Sequence, residues 1–252
     1  MRRIVLPALF LAVFLAAWHL VYLNSPWDAT QFAGPRQVWD SIVRLSLDGS
    51  LRVGLEATLR RLFAGFALSM LAGGLLAIGM ARLRPMREGL RPFLLGAQSL
   101  PSIAWVPLAV LWFGLTEEAI VFVTVIGSVF AVTIAFTDAL NSVPPDHVLA
   151  ARNMGSHGLA LVTRVQIPAA LPPLLSGTRQ CWSFAWRSLL GAEIIIHTVG
   201  LGFLLDQGRN YFDVPQVMAV MAVTLAAGLL FEVLVFSTLE KSVRRRWGLS
   251  RD

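Results

Sequence analysis

Residues 119–140 read AIVFVTVIGSVFAVTIAFTDAL, a run of 22 positions in which Asp138 is the one charged residue. Such a run is long enough to cross a bilayer as an α-helix, which takes about 20 apolar residues. Further stretches of the same kind are Ile4–Leu23, Leu62–Ala81, Phe93–Phe113, Leu174–Ile196 and Val214–Leu239. The sequence therefore predicts an all-α polytopic membrane protein with about six transmembrane helices.

The composition agrees with a membrane protein and excludes other classes. Of the 252 residues, 56% are hydrophobic and 14% are charged, whereas soluble domains have about 45–50% apolar and about 25% charged residues. This excludes an ordinary soluble enzyme and also a disordered chain, which needs low hydrophobicity and high charge. Six spans of about 20 residues use roughly half of the chain. We therefore expect residues 1–252 to form a single membrane domain.

The charges orient the chain in the bilayer. There are 21 Lys and Arg against 15 Asp and Glu, a net charge of +6. Positive residues accumulate on the cytoplasmic side of membrane proteins. If both termini are cytoplasmic and Ile4–Leu23 is an uncleaved first span, at least 13 of the 21 basic residues fall on that side. The positive excess is thus explained without nucleic acid as a partner.

The segment between the first two spans, residues 24–61, is too charged to cross a membrane. Val38, Ile42 and Leu45 recur with roughly helical spacing, and Asp48-Gly49 is a typical turn. We expect an amphipathic surface helix on the outer side.

A second connection, between spans four and five, has more regular punctuation. Residues 141–173 read NSVPPDHVLAARNMGSHGLALVTRVQIPAALPP. Asp146 is a suitable N-cap for a helix over residues 147–154, and Gly155 can take the left-handed conformation that ends it. Ser156 can cap a second helix, which Pro168 closes. Such a rigid elbow suits the transmission of force from a soluble motor, although a surface hairpin without a partner would show the same pattern.

The letters of this elbow resemble a known motif. Ala150-Ala151-Arg152-Asn153-Met154-Gly155, followed by Val165-Gln166-Ile167-Pro168, resembles the EAA motif, E-A-A-x3-G-x9-I-x-L-P, of binding-protein-dependent ABC importer permeases. Leu149 departs from it, since the family often has Glu there. Residues 59–66, 107–114, 192–202 and 239–249 resemble the branch that transports sulfonates, nitrate and taurine.

The resemblance implies partners for the chain. It implies a second permease subunit in a homodimer, two ABC ATPase subunits and an extracytoplasmic substrate-binding protein, all at a bacterial inner membrane. ATP and Mg²⁺ would be bound by the ATPase, because this chain has no G-x-x-x-x-G-K-[ST] loop; we therefore expect no enzymatic activity and no cofactor in this chain. The residues expected to couple it to the ATPase are Ala150, Ala151, Arg152, Gly155, Ile167 and Pro168.

Small and irregular residues mark spans two and three. Gly65, Ser69 and Gly73 recur every four residues, a spacing that lets helices approach closely, and we expect packing within the subunit. Span three contains Pro101 and Pro107, which should kink it. A kinked helix either lines the pathway or serves packing alone.

Span five is the polar one. Arg179, Trp182, Trp186, Glu193 and His197 share one helical face. Arg187 lies near mid-span, where an arginine costs about 2.5–3.5 kcal/mol. It either attracts a passing anion or pairs with a carboxylate of another span or of a second subunit. An ion pair is the preferred interpretation, more so for Glu193, the one clear intramembrane carboxylate.

The candidate pathway residues come from spans three and five. They are Gln98, Ser99, Trp105, Trp182, Trp186, Arg187 and Glu193. Glu193 and His197 have a metal-ligand spacing, but the sequence shows no third ligand, so we expect no metal site.

The preferred function is the permease subunit of an importer for an organic sulfonate, taurine or a nitrate-like anion. An alternative solute is a vitamin precursor such as a pyrimidine. An autonomous secondary transporter is a further alternative, although it would need coupling-ion residues and typically an inverted repeat. An intramembrane enzyme lacks catalytic partners for Glu193 and His197.

Overall fold

The computed structural model describes residues 2–24, 26 and 31–246, and every regular element in those ranges is helical. The α-helices, in chain order, are α1 (Arg2–Asn24), α2 (Pro35–Leu47), α3 (Ser50–Arg82), α4 (Arg84–Ser99), α5 (Val106–Phe113), α6 (Glu117–Asn141), α7 (Pro145–Asn153), α8 (Gly158–Leu161), α9 (Ile167–Ala169), α10 (Leu171–Ile196), α11 (Leu201–Asn210), α12 (Val214–Phe231) and α13 (Ser237–Arg246). A 3₁₀ turn (Ser102–Trp105) precedes α5, and π-helical turns cover Val162–Gln166 and Glu232–Phe236.

Within the described residues, three helices are long and apolar enough to cross a membrane: Ser50–Arg82, Glu117–Asn141 and Val214–Val243. Two bent pairs raise the number to as many as five if each is one span: α4 with α5, bent by 95°, and α8–α9 with α10, bent by 80°. The apolar part of α1, Leu9–Asn24, is shorter. The all-helical membrane fold is confirmed, and the count of six spans stays a prediction.

Two predicted spans differ from the observed helices. The second begins at Ser50, because the charged turns before Leu62 continue the same helix. The third, predicted as Phe93–Phe113, is broken after Ser99. Leu100 is extended (ψ 130°), since the ring of a following proline disfavours the helical conformation.

The residues cluster into two compact units. The first comprises Met1–Thr58 and Val199–Ala226. In it the predicted surface helix is confirmed as α2, and Gly49 turns the chain with a φ of +79°. Val38 is buried on one side of α2, and Arg44 forms an ion pair of 2.7 Å with Asp213.

The second unit comprises Leu59–Thr198 and Ala227–Asp252 and holds the main core. The expected close packing of α3 is confirmed here. A Cβ on Gly65 would lie 2.7 Å from Thr124 Cγ2, and one on Gly73 would lie 2.7 Å from Val132 Cγ1. The small residues of α3 therefore allow it to contact α6 along several turns.

Candidate functional site

The elbow begins with α7, whose last turn is closed by the backbone. The N–H of Gly155 donates to the carbonyl of Arg152 (3.0 Å), and the N–H of Ser156 donates to the carbonyl of Ala151 (2.9 Å). Together with the φ of +86° at Gly155, this is the Schellman arrangement that ends many helices. The predicted glycine turn is present.

Three predicted details of the elbow were wrong. Pro144, not Asp146, is the N-cap of α7, because the proline that follows Pro144 suits the first helical position, where an N–H is not needed. His157, not Ser156, is the N-cap residue of α8. Pro168 does not end the second helical segment, which continues through a π-turn and α9 before the 80° bend.

The residues predicted to contact an ATPase fall into two groups. Ala151 is buried and Ile167 packs against a hydrophobic cluster at the base of the elbow. The others are exposed: Ala150, Arg152, Gly155 and Pro168. Large apolar side chains nearby are also exposed, by 55% for Leu149, 81% for Met154 and 53% for Leu159. The elbow is thus a packed stem with an exposed, partly apolar tip.

The break between α4 and α5 forms one wall of a cavity of about 290 Å³. The middle of α6 and α10 form the rest. The wall includes Gln98, Ser99, Ser102, Trp105, Gly127, Phe130, Phe184, Arg187 and Ser188. Irregular backbone at membrane depth is tolerated only where it is buried in protein or lines a water-filled cavity. The position of the break beside this cavity agrees with that rule.

The structure separates the candidate pathway residues. Four of them line this cavity: Gln98, Ser99, Trp105 and Arg187. The other three do not. Trp182 is buried and stacks on Phe231 with ring centroids 4.2 Å apart, Trp186 lies beside Gly228, and Glu193 is fully buried.

Sequence reasoning missed Phe184 and Ser188 on the cavity wall. With Arg187 they follow each other at steps of three and one along α10, on the side of the helix roughly opposite the predicted face. The sequence offered one indication of these two residues: they lie on the same side of α10 as Arg187, which was already a candidate pathway residue.

Arg187 is exposed, and its contacts are local. Its Nε donates to the carbonyl of Ser183 (3.1 Å), and its Cζ lies 4.9 Å from the centroid of the Phe184 ring. The part of the chain that the structure describes places no carboxylate within 4.0 Å of this guanidinium. The preferred ion pair of Arg187 is therefore not formed within those residues, and the cavity wall keeps a cationic group.

Glu193 belongs to a separate network that joins α3, α6 and α10. Arg61 Nη1 donates to Glu193 Oε1 (2.8 Å), and Arg61 Nη2 donates to Glu117 Oε1 (2.9 Å). Arg60 contacts the other oxygen of Glu117 at 2.6 Å. The side chains of Arg61 and Glu193 are 2% and 0% exposed. Glu193 thus forms the interhelical ion pair that the sequence favoured.

A second charged cluster corrects the view that Glu193 was the one clear intramembrane carboxylate. Glu232 lies inside the candidate span Val214–Val243 and forms an ion pair with Arg179, which also contacts Glu240 at 3.3 Å. The sequence alone could have identified Glu232 as an intramembrane carboxylate, because it lies within the predicted sixth span. Among the described residues, no group of three or more His, Cys, Asp or Glu is placed to hold a metal ion.

A family profile covers most of these features. The profile described as "Binding-protein-dependent transport system inner membrane component" matches residues 66–247, a range that contains the cavity and the elbow. The chain belongs to this family. It is therefore an ABC transporter permease, a multi-pass inner-membrane subunit of a family that is not enzymatic.

Relatives of this permease align over most of its length. A probable ABC transporter permease of Brucella melitensis is 29% identical over 89% of this chain and 90% of its own. The taurine transport permease of Escherichia coli K12 is 27% identical over 92% and 86%. The riboflavin transport permease of Chloroflexus aurantiacus is 29% identical over 93% and 92%. The family resemblance is confirmed, and the solutes named for these relatives differ.

A solved structure supports the permease fold. An amino acid ABC transporter crystallised with histidines aligns with a TM-score of 0.66 and 20% identity, over 79% of this permease and 97% of that chain. At this identity the likeness concerns the fold alone.

Proposed function

We propose that this permease forms the translocation pathway of an ATP-driven importer for a small anion, such as an organic sulfonate, taurine or a nitrate-like anion. The observation that carries the proposal is the Arg187 guanidinium, which lines the cavity without a carboxylate partner among the described residues. A cleft lined by charge of one sign attracts solutes of the opposite sign. The planar guanidinium also presents a fork of donors that matches oxyanions.

The hydrogen-bonding groups of the cavity support an anion over a cation. The hydroxyls of Ser99 and Ser188 donate to the backbone carbonyls of Gly96 (2.6 Å) and Phe184 (2.8 Å). Their hydrogens are therefore used. The remaining side-chain donors on the wall are the hydroxyl of Ser102, the amide of Gln98, the indole N–H of Trp105 and the guanidinium of Arg187. Among the residues that the structure describes, no side chain with a negative charge lines the cavity.

The proposal includes partners and an orientation. Two ABC ATPase subunits, which bind ATP and Mg²⁺, dock on the exposed tip of the elbow. A second copy of the permease completes a homodimer, and an extracytoplasmic substrate-binding protein delivers the solute. Both termini are cytoplasmic. The exposed apolar side chains of the elbow, Leu149, Met154 and Leu159, support the docking, because such a patch favours a protein contact.

A second candidate solute is a vitamin precursor such as a pyrimidine. It is favoured by the riboflavin permease among the relatives and by the aromatic groups of the cavity, Trp105, Phe130 and Phe184, on which a flat ring can stack. An autonomous secondary transporter is the less favoured alternative, because it does not need an exposed elbow.

The test is uptake of radiolabelled taurine by proteoliposomes that contain the permease, its ATPase and its binding protein. Arg187→Gln should reduce uptake about tenfold or more, because a charge-assisted hydrogen bond contributes about 1.5–3 kcal/mol. Arg187→Lys should restore part of it. Arg52→Gln is the matched control, since Arg52 is exposed and pairs only locally with Glu56. Full uptake by Arg187→Gln would contradict the role of Arg187, and inhibition by a pyrimidine but not by sulfonates would favour the second candidate.

A further inference from the structure

The ion-pair network of Arg61 lies on one side of the cavity. On α6, Glu117 precedes the cavity residue Gly127 by ten positions, which is about 15 Å along the axis. On α10, Glu193 follows the cavity residue Ser188 by five positions, about 8 Å. Gly127 and Ser188 are in close contact, so both helices place the network at the same end. With cytoplasmic termini, as in the proposed function on which this inference rests, that end is extracytoplasmic.

One guanidinium holds both helices at that end. Arg61 uses one terminal nitrogen for Glu193 of α10 and the other for Glu117 of α6. The guanidinium is a rigid fork that can hold two carboxylates at once, whereas a lysine ammonium is a compact point charge. Arg61 is therefore the residue that connects α6 and α10 to α3 beyond the cavity.

We call Arg61 with its two carboxylate partners the clamp, and the ion pairs Arg61–Glu193 and Arg61–Glu117 its two arms. The two arms differ in their surroundings. The Glu193 side chain is 0% exposed, and the Glu117 side chain is 47% exposed. Glu117 also contacts Arg60, which is 68% exposed. Water can satisfy the half-exposed Glu117 if it leaves Arg61 and Arg60, so this arm separates at a lower cost than a fully buried pair. Separating Arg61 from Glu193 would break an ion pair whose two side chains are 2% and 0% exposed, which is strongly unfavourable.

We propose that Arg61 is a positioning residue of the transport cycle. Its arm to Glu193 stays closed and fixes α10 to α3. Its arm to Glu117 opens and closes, and the end of α6 moves away from the clamp when the cavity opens to the extracytoplasmic side.

The test measures access to the cavity and needs no knowledge of the solute. The single cysteine, buried Cys181, is replaced by alanine, and Ser102→Cys places a thiol on the cavity wall. Right-side-out vesicles with the complete transporter are treated with a membrane-impermeant maleimide. The labelling rate is compared with and without Glu117→Gln, which removes the charge and keeps the shape. Glu56→Gln is the matched control, because Glu56 forms an exposed ion pair within α3.

Glu117→Gln should accelerate the labelling of Ser102→Cys about fivefold, the factor expected when an ion pair of about 1 kcal/mol is lost. Glu56→Gln should leave the rate unchanged. Arg61→Lys should give part of this acceleration, because the single ammonium stays with the buried Glu193 while Arg60 still contacts Glu117. Equal rates with and without Glu117→Gln would overturn the proposal. So would a folded Glu193→Gln variant that labels as fast as Glu117→Gln, since the arms would then be equivalent.

A separate reporter distinguishes failure of the clamp from failure of the orientation. Asp40→Cys on exposed α2 should be labelled in right-side-out vesicles. If it is labelled only in inside-out vesicles, the orientation in the proposed function is wrong. The ratio of the Ser102→Cys labelling rates with and without Glu117→Gln, measured in inside-out vesicles, then still tests the clamp.

Discussion

Gly155 offers a direct test of the elbow, because its role depends on the backbone alone. Its φ is +86°, and a Cβ placed there would have no other atom within 4 Å. The Cβ of a valine at this position therefore meets no neighbouring side chain. The whole effect comes from forcing a β-branched L-residue into the left-handed region, which is a genuine outlier for such residues.

The magnitude follows from the same geometry. The left-handed conformation costs an ordinary L-residue roughly 1–2 kcal/mol, and asparagine adopts it more readily because its side chain can form local hydrogen bonds. One to two kcal/mol corresponds to a factor of about 5–30 between alternative states. We therefore expect Gly155→Val to reduce the equilibrium constant between the observed elbow and alternative conformations by at least this factor. Gly155→Asn is the matched control and should behave almost as the unchanged permease.

The assay is co-purification of the ATPase subunits with tagged permease in detergent, with ATP-dependent uptake measured in parallel. Gly155→Val should lose most of the bound ATPase while the amount of permease in the membrane and its melting temperature change little, since the turn is exposed. If Gly155→Val retains the ATPase as well as Gly155→Asn does, the geometry of the elbow is not what the ATPase recognises.

The remaining predictions concern stability. Gly73→Leu should destabilise the permease in detergent by about 1–3 kcal/mol through overpacking against α6. Gly74→Leu should be tolerated, because a Cβ on Gly74 would meet one atom at 4.0 Å. Equal melting temperatures of the two variants would refute the close contact between Gly73 and α6. Glu193→Ala should destabilise the permease by about 1–3 kcal/mol, because one buried nitrogen of the Arg61 guanidinium loses this partner while the other keeps Glu117. Glu56→Ala should change stability by less than about 0.5 kcal/mol, and equal losses in denaturant titrations would count against the buried pair. Hydrogen bonds from the Ser50 side chain and backbone lower the pKa of Asp48 in the folded protein. The stabilisation by the Asp48 carboxylate is therefore present above its ordinary pKa and is lost as the pH falls through the lowered pKa of the folded state. Asp48→Asn should weaken the acid dependence of the melting temperature, and an unaltered acid profile would exclude this contribution.

The sequence predicted the features that depend on local pattern. The long apolar runs, the small residues of α3 and the left-handed Gly155 each follow from spacing or from one residue type. The elbow caps were less predictable. A proline at the first helical position competes with an aspartate cap at the next, and the proline determined where α7 begins.

The sequence could not assign partners between helices. Glu193 pairs with a residue that is 132 positions away, and no periodicity within α10 reveals this. The same limit explains why Trp182 was placed on the pathway. The spacing correctly places Trp182 on the same face of α10 as Arg179 and Glu193, but this face packs against the sixth span, where Trp182 stacks on Phe231. The broken helix was indicated by its prolines, whereas the cavity beside it depends on how α6 and α10 pack.

We propose that this permease transports its solute only when an ATPase drives it through the elbow. The most direct measurement is radiolabelled taurine uptake by proteoliposomes that contain the permease and binding protein, with and without the ATPase subunits. We predict uptake only when the ATPase and ATP are present. Uptake that persists without any ATPase subunit would contradict the account and would favour an autonomous transporter.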